Sequence, residues 1–284
     1  SETDLTVNGN EGNNAIKVFD PADFSENTGD DIHIDGSGDL VLDGFGTITD
    51  FDAASYTFNG RGGDDELIVR PDSEQIHYLF GGSGSDHLSG AQAPTWLQAG
   101  SGNDTLYSVG GSDRLLAGSG DDEIILGTFN DDTQYAEWAA SGNEDGEVVV
   151  LTGGGDDSIV IAALDETTGS TNPGIDIDAV IADYTRGDDR LDFGQLRDAN
   201  GGAVDLGDLI ADGATTGSEI NLSNFSANVV DADSPANDVN VAAEGKMTLL
   251  GVNVDRLQST DLAQGVDTGW EDEFKALLSS TPLV

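Results

Sequence analysis

Three aspartates recur at a regular spacing in the middle of the chain. Asp86, Asp104 and Asp122 each follow a glycine-rich stretch, and consecutive members are 18 residues apart. Carboxylates are oxygen ligands that a hard divalent cation such as Ca²⁺ prefers, and glycine-rich turns present backbone carbonyls freely to the same kind of ion. The first chemistry to consider for these residues is therefore cation coordination.

The three aspartates belong to a nine-residue repeat. Its in-register copies are GGSGSDHLS at 81–89, AGSGNDTLY at 99–107 and AGSGDDEII at 117–125. Each unit divides into a six-residue turn of Gly and Asp and a three-residue strand with one large aliphatic side chain. Glycine permits the positive φ values and close backbone contacts of such turns.

Weaker copies surround this strict core. SVGGSDRLL at 108–116 keeps Asp113 at the sixth position, whereas GAQAPTWLQ at 90–98 keeps only its leucine. GRGGDDELI at 60–68 and TGGGDDSIV at 152–160 add Asp65 and Asp157, at offsets of 21 and 35 residues from the neighbouring copies. Those offsets indicate insertions or longer coils.

A turn every nine residues predicts a parallel β-helix with two units in each coil. Turns 18 residues apart then stack on one edge, about 4.8 Å per coil. We expect one large aliphatic residue of each unit to point inward. These residues are Leu67, Leu88, Leu106, Leu115, Ile124 and Ile159.

Stacking also sets the electrostatics of the two edges. Asp86, Asp104 and Asp122 form a column of like charges that a divalent cation would neutralise. Asp113 falls on the opposite edge, where residues 90–98 offer no matching aspartate, which makes a calcium column there doubtful. Asp65 and Asp157 have no neighbour at 18 residues, so their sites are expected to be partial or completed by insertions.

The repeat resembles GGxGxDxUx, the hemolysin-type calcium-binding nonapeptide of the RTX family. The resemblance implies a parallel β-roll in which Ca²⁺ lies between stacked turns, held by the sixth-position aspartate and by turn carbonyls. The ligands that it implies are Asp86, Asp104 and Asp122 with the carbonyls of Gly82, Gly84, Gly100, Gly102, Gly118 and Gly120. Asp113, Asp65 and Asp157 are the further candidate ligands.

The flanks of the repeat predict additional β structure. Residues 1–58 contain short strand-like pieces and suit an irregular N-terminal β segment, followed by the calcium-binding roll at 59–170. The stretch 127–146 interrupts the roll as a loop or short helix, or as an aromatic interaction surface. Residues 171–267 predict a β cap or a second small β domain, and 179–196 resembles the segment that closes the roll in serralysin-type proteins.

The last residues, 268–284, fit one amphipathic helix with Trp270, Phe274, Leu277 and Leu278 on one face. One interpretation is a terminal helix that packs on the cap. The RTX resemblance implies another, an uncleaved signal for type I secretion. No signal peptide is visible at the start, so either a leader has been removed or Ser1 begins the product.

Composition excludes several classes of partner. The 55 acidic and 10 basic residues give a net charge of −45, and the basic residues are scattered, which argues against nucleic acid and anionic membranes. No apolar run approaches the roughly 18 residues of a membrane span. The absence of cysteine suits a secreted protein without disulfides.

Catalytic motifs are absent from the sequence. His33, His77 and His87 do not form HExxH, the serines between glycines do not complete GxSxG, and no P-loop or dinucleotide fingerprint is present. We therefore expect no enzymatic activity.

The sequence predicts an all-β protein, a parallel β-roll or β-helix with flanking β segments and a short C-terminal helix. Its expected function is that of a secreted, calcium-binding structural protein that self-assembles at the cell surface as an S-layer-like, matrix, filament or adhesin subunit. The alternative is the calcium-dependent folding and type I secretion module of a larger RTX enzyme or toxin. A third hypothesis is an adhesin that binds a cell-surface glycan.

Overall fold

The chain forms an all-β solenoid built on two parallel sheets. A computed structural model describes residues 3–8, 15–18, 32–34, 40–42, 46–48, 53–69, 76–90, 93–108, 112–129, 147–164, 175–194, 196–198, 200–211, 215–229 and 239–263. Between residues 53 and 192, successive strands alternate between the sheets, so each coil contributes one strand to each. The all-β class and the parallel, solenoid-like sheets predicted from the repeat are confirmed.

The strands are short, as expected from three-residue strand segments between glycine turns. They are β1 (Thr3–Asn8), β2 (Ala15–Val18), β3 (Ile32–Ile34), β4 (Leu40–Leu42), β5 (Gly46–Ile48), β6 (Ala53–Asn59), β7 (Glu66–Val69), β8 (Ile76–Ser83), β9 (His87–Ser89), β10 (Thr95–Ser101), β11 (Thr105–Ser108), β12 (Arg114–Ser119), β13 (Glu123–Phe129), β14 (Val148–Gly154), β15 (Ser158–Leu164), β16 (Ile175–Ile181), β17 (Arg190–Asp192), β18 (Leu196–Arg197), β19 (Thr215–Thr216), β20 (Glu219–Asn221), β21 (Ser226–Val229), β22 (Val239–Leu249) and β23 (Leu262–Ala263). Helix α1 (Leu206–Ala211) and two 3₁₀ turns, Leu222–Asn224 and Val254–Arg256, lie near the C-terminal end.

The first sheet has the order β1-β6-β8-β10-β12-β14-β16-β22-β20-β19, and the second has the order β2-β7-β9-β11-β13-β15-β17-β23. Pairing is parallel from β1 through β22 in the first sheet and throughout the second. Strands β19–β20–β22 and β18–β21–β22 add antiparallel pairs at the C-terminal end. A separate antiparallel sheet joins β3, β4 and β5.

The repeat positions remain in register even where the spacing in sequence changes. Leu88 pairs with Leu106 and Leu106 with Ile124 at the regular spacing. Leu67 pairs with Leu88 across the 21-residue offset, and Ile124 pairs with Ile159 across the 35-residue offset. The extra residues lie between the second-sheet strands and the next first-sheet strands, so they do not disturb the glycine turns.

The interior is a set of stacked aliphatic rows. All six residues predicted to point inward are fully buried, Leu67, Leu88, Leu106, Leu115, Ile124 and Ile159. Five of them stack in the second sheet, whereas Leu115 stacks in the first sheet between Leu97 and Val150. Each such side chain contributes roughly 1.5–3 kcal/mol through burial, which makes these rows the main source of stability.

The flanking segments extend the same sheets. Strands β1 and β2 pair in parallel with β6 and β7, which places the N-terminal segment at one end of the solenoid. Beyond residue 171, β16 and β17 continue the two sheets, and β22 and β23 follow them. Residues 130–146, which form most of the predicted insertion, and the predicted helix at 268–284 lie outside the described residues.

Candidate metal-binding edge

The glycine turns stack with almost no space between coils. The six predicted glycines, Gly82, Gly84, Gly100, Gly102, Gly118 and Gly120, all have positive φ. Gly102 shows why glycine is needed, since a Cβ there would collide with the carbonyl oxygen of Gly84 in the preceding coil. Side chains are thus excluded, and the carbonyl of Gly84 points along the stack toward Gly102.

The sixth-position aspartates form a continuous column, here called the aspartate ladder. Its members are Asp65, Asp86, Asp104, Asp122 and Asp157. The backbone N–H of each of the first four donates to Oδ1 of the next, at 2.8 Å three times and at 2.9 Å for the last pair. Asp65 and Asp157 therefore join the column despite their irregular spacing in sequence.

A second column runs along the same turns in the opposite sense. At the fifth repeat position, Asp64 accepts a hydrogen bond at Oδ1 from the backbone N–H of Ser85, at 2.9 Å. Asn103 accepts from Asp121 at 3.1 Å, and Asp121 accepts from Asp156 at 3.0 Å. In this outer column the acceptor lies in the earlier coil, whereas in the aspartate ladder it lies in the later coil.

The outer column was not predicted from the sequence. The signal was the presence of Asp or Asn at the fifth position in four repeat units, Asp64, Asn103, Asp121 and Asp156. Short side chains with a carbonyl or carboxylate oxygen readily accept hydrogen bonds from backbone N–H groups in turns. The fifth position therefore has a structural role that is separate from that of the sixth.

The second carboxylate oxygens of the ladder face a different environment. Oδ2 of Asp86, Asp104, Asp122 and Asp157 is buried and has no hydrogen-bond partner. These four residues expose at most 2% of their surface. A Cβ at Gly81 would collide with Oδ2 of Asp86, which places that oxygen inside its own turn. Buried carboxylate oxygens without a donor are costly, and they mark positions suited to a cation.

Burial changes the protonation of these groups. Removal from water raises the pKa of Asp86 to about 6, and the neighbouring Asp104 and Asp65 charges add to the shift. Desolvation likewise raises the pKa of Asp122 to about 7 and that of Asp157 to about 6. The pKa of Asp104 is raised by the same cause. The ladder without a cation thus favours bound protons, as expected for stacked like charges.

Asp113 lies on the opposite edge, as expected, in a different setting. Its Oδ1 accepts from the backbone N–H of Thr95 at 2.7 Å, and its Oδ2 accepts from the Ser108 hydroxyl at 2.6 Å. Both oxygens therefore have protein donors. Burial raises the pKa of Asp113 to about 8. The preceding coils place Thr95 and His77 at this position, so no carboxylate column forms there among the described residues.

The ladder changes character at its C-terminal end. Asp189 continues the column, because its Oδ1 accepts from the N–H of Asp157 at 3.4 Å, but its Oδ2 accepts from the N–H of Thr185 at 2.7 Å. The Tyr184 hydroxyl, 2.9 Å from the Asp189 carbonyl oxygen and 3.2 Å from that of Asp261, can donate to either. Protein donors therefore satisfy both carboxylate oxygens of Asp189 at this end of the column, whereas the four ladder Oδ2 atoms before it have none.

The described part of the chain contains no group of three or more His, Asp or Glu side chains that converge on one point. It also contains no helix long and apolar enough to cross a membrane. Comparison of the whole chain with protein-family models, curated proteins and solved structures finds no match.

Proposed function

We propose that the protein is an RTX-like, calcium-binding structural protein whose solenoid is a calcium-loaded β-roll and which self-assembles outside the cell. The observation that carries this proposal is the set of four buried Oδ2 atoms, in Asp86, Asp104, Asp122 and Asp157, without hydrogen-bond donors. A native fold rarely leaves such a column of buried oxygens without partners.

Ca²⁺ suits these oxygens better than other common ions. It accepts six to eight oxygen ligands in a flexible arrangement and tolerates backbone carbonyls beside carboxylates. The ladder aspartates would supply carboxylate oxygens, and the carbonyls of the positive-φ glycines would supply most of the others. A bound divalent cation would also neutralise the stacked charges.

Self-assembly rests on charge and architecture. The net charge of the chain is −45, so separate copies repel one another until cations neutralise part of that charge. Parallel sheets also have strand edges at their ends, which pair with other strands unless a cap covers them. These features favour a structural subunit whose association depends on Ca²⁺, located at the cell surface or outside the cell.

The same calcium chemistry would serve the alternative function, the folding and type I secretion module of a larger RTX enzyme or toxin. In that case the roll binds Ca²⁺ but has no tendency to assemble. An adhesin for a cell-surface glycan would add saccharide binding to either. Assembly of the purified chain therefore distinguishes the structural subunit from the export module.

The test is a Ca²⁺ titration of the full chain, followed by circular dichroism, calorimetry, light scattering and negative-stain microscopy. We expect Ca²⁺ to stabilise the β structure and to promote ordered assemblies, with Mg²⁺ much less effective because it requires a small, regular octahedral site. An unchanged spectrum and melting temperature in chelator would refute a contribution of calcium binding to the stability of the fold. Strictly monomeric protein at every calcium concentration would refute the structural role and favour the export module.

A further inference from the structure

The outer face of the first sheet carries a mainly apolar row of exposed and half-buried side chains, here called the apolar stripe. The stripe consists of outward side chains on β8, β10, β12 and β14, namely Ile76, Tyr78, Phe80, Trp96, Gln98, Arg114, Leu116, Val149 and Leu151. Strand pairing arranges most of them in two rows. Tyr78, Trp96, Arg114 and Val149 form one row, and Phe80, Gln98, Leu116 and Leu151 form the other.

The exposure of this face is unusual among the described residues. Ile76, Trp96 and Leu151 expose 43%, 38% and 39% of their surface, and within the described ranges Leu250 is the only other large hydrophobic residue as exposed. On the second sheet, by contrast, the outward Tyr107 and Ile125 are fully buried. The apolar stripe is thus specific to one face of the solenoid.

The stripe also differs in charge from the rest of the molecule. None of its nine side chains is a carboxylate and one is a cation, Arg114, in a protein with a net charge of −45. Two copies repel each other over most of their surfaces, but the two rows of the stripe bring no negative side chains into contact. The exposed Glu147, two residues before Val149, lies beside the rows at their edge. Contiguous exposed apolar patches of this kind mark interaction sites.

We propose that the stripe binds a second copy of this chain face to face, which deepens the proposed self-assembly and rests on it. The pairing follows a two-fold axis that is parallel to the strands and lies between β10 and β12. Under that symmetry Trp96 faces Arg114 of the other copy, and Phe80 faces Leu151. Because aromatic residues lie on one side of the axis and Arg114 with aliphatic residues on the other, the stripe is self-complementary.

The contact combines apolar burial with two symmetric cation–π pairs between Trp96 and Arg114. The stripe is only four strands wide, with three strand spacings of about 4.8 Å each. The area that it can bury is therefore smaller than the roughly 800 Å² per partner of a standard interface. The isolated pair is therefore weak, and repetition in an assembly would strengthen it. Ca²⁺ acts indirectly on this contact, by lowering the net charge of each copy.

The test compares charge substitutions on and off the stripe in the full chain with Ca²⁺. We expect Trp96→Asp, Leu151→Asp and Arg114→Glu each to reduce association at least tenfold in sedimentation velocity across a protein-concentration series. Leu250→Asp is the matched control, since Leu250 is 49% exposed and lies outside the stripe. Calorimetry with Ca²⁺ and circular dichroism verify that each variant is folded and still binds the cation.

Engineered thiols provide a positive test, because the chain contains no cysteine. A mixture of Gln98→Cys and Leu116→Cys copies should form a mixed disulfide dimer, whereas a mixture of Gln98→Cys and Leu250→Cys copies should not. If folded stripe variants assemble like the wild type, the stripe is not the interface and the proposed function stands. If the wild type never associates although it binds Ca²⁺, the proposed assembly fails and this inference fails with it.

Discussion

The backbone N–H of Asp86 donates to Oδ1 of Asp104, one coil further along the chain, at 2.8 Å. The hydrogen bond connects the stacking of the coils to the position of the carboxylate, because the same interaction that aligns the two turns holds the side chain in place. Oδ2 of Asp104 is left buried without a donor. Asp104 thus uses one carboxylate oxygen for the fold, and its other oxygen has no hydrogen-bond partner. The same division holds in Asp86, Asp122 and Asp157.

Replacing Asp104 should affect calcium binding more than replacing Asp113. Asp104→Asn keeps the Oδ1 acceptor but removes the negative charge and the second oxygen, so we expect Ca²⁺ affinity to fall by about tenfold or more. Asp113→Asn should leave Ca²⁺ affinity nearly unchanged, because Thr95 and Ser108 already occupy both oxygens of Asp113. Isothermal titration calorimetry measures both, and equal losses would contradict the assignment of the ladder edge.

Stability without calcium should decrease as pH rises. The pKa of Asp86 and that of Asp157 are raised to about 6 and the pKa of Asp122 to about 7 in the fold, so the folded chain holds protons that the unfolded chain releases near pH 4. The contribution of these bound protons to the stability of the fold is fully present below pH 4 and is lost as pH rises through about 6 to 7.

Calcium should reverse this trend, because the cation displaces the same protons and binds more tightly at higher pH. Thermal melting at pH 5 and pH 8, in chelator and in Ca²⁺, tests both effects. An apo protein that is more stable at pH 8 than at pH 5 would show that the ladder carboxylates do not control folding.

Gly102→Ala should strongly destabilise the solenoid. Its Cβ would collide with the Gly84 carbonyl, and alanine at φ of +129° is strained, which together cost at least about 1–3 kcal/mol. Gly154→Ala is the matched control two coils further along the stack, since that glycine has ordinary φ and a Cβ added to it would have no atom within 4 Å. Urea denaturation measures the free energy of unfolding of both variants. Equal values for Gly102→Ala and Gly154→Ala would contradict tight stacking of the turns.

The outer column predicts a smaller effect at the fifth repeat position. Asn103→Ala removes the acceptor for the Asp121 N–H and should cost about 0.5–1.5 kcal/mol. Asn103→Asp retains an acceptor oxygen and should cost less at high salt, where added negative charge is screened. In 1 M salt the Debye length is about 3 Å, so repulsion between surface charges is screened. Chemical denaturation under these conditions separates the loss of the hydrogen bond from the effect of charge repulsion. Equal destabilisation by the two substitutions would argue against the outer column.

Local sequence was sufficient to predict the solenoid and the stacking of its most regular turns. The 18-residue spacing of Asp86, Asp104 and Asp122 reflects one coil, since each turn repeats the same short-range backbone chemistry. Leu88, Leu106 and Ile124 were predictable as core for the same reason, because their place in each unit sets the direction of their side chains. Whether the ladder holds Ca²⁺ stays a prediction.

Tertiary structure decided what depends on contacts between coils. Asp65 and Asp157 could not be assigned to the ladder from the sequence, because their copies of the repeat are offset by 21 and 35 residues instead of 18. The spacing alone does not reveal that the extra residues lie on the opposite edge and leave the glycine turns in register. The packing of the coils also brings the Ser108 hydroxyl to Oδ2 of Asp113, where it donates a hydrogen bond. The same packing leaves Trp96 exposed beside Arg114. A nonapeptide determines its own turn, but its neighbours in the stack determine which oxygens and which faces remain available.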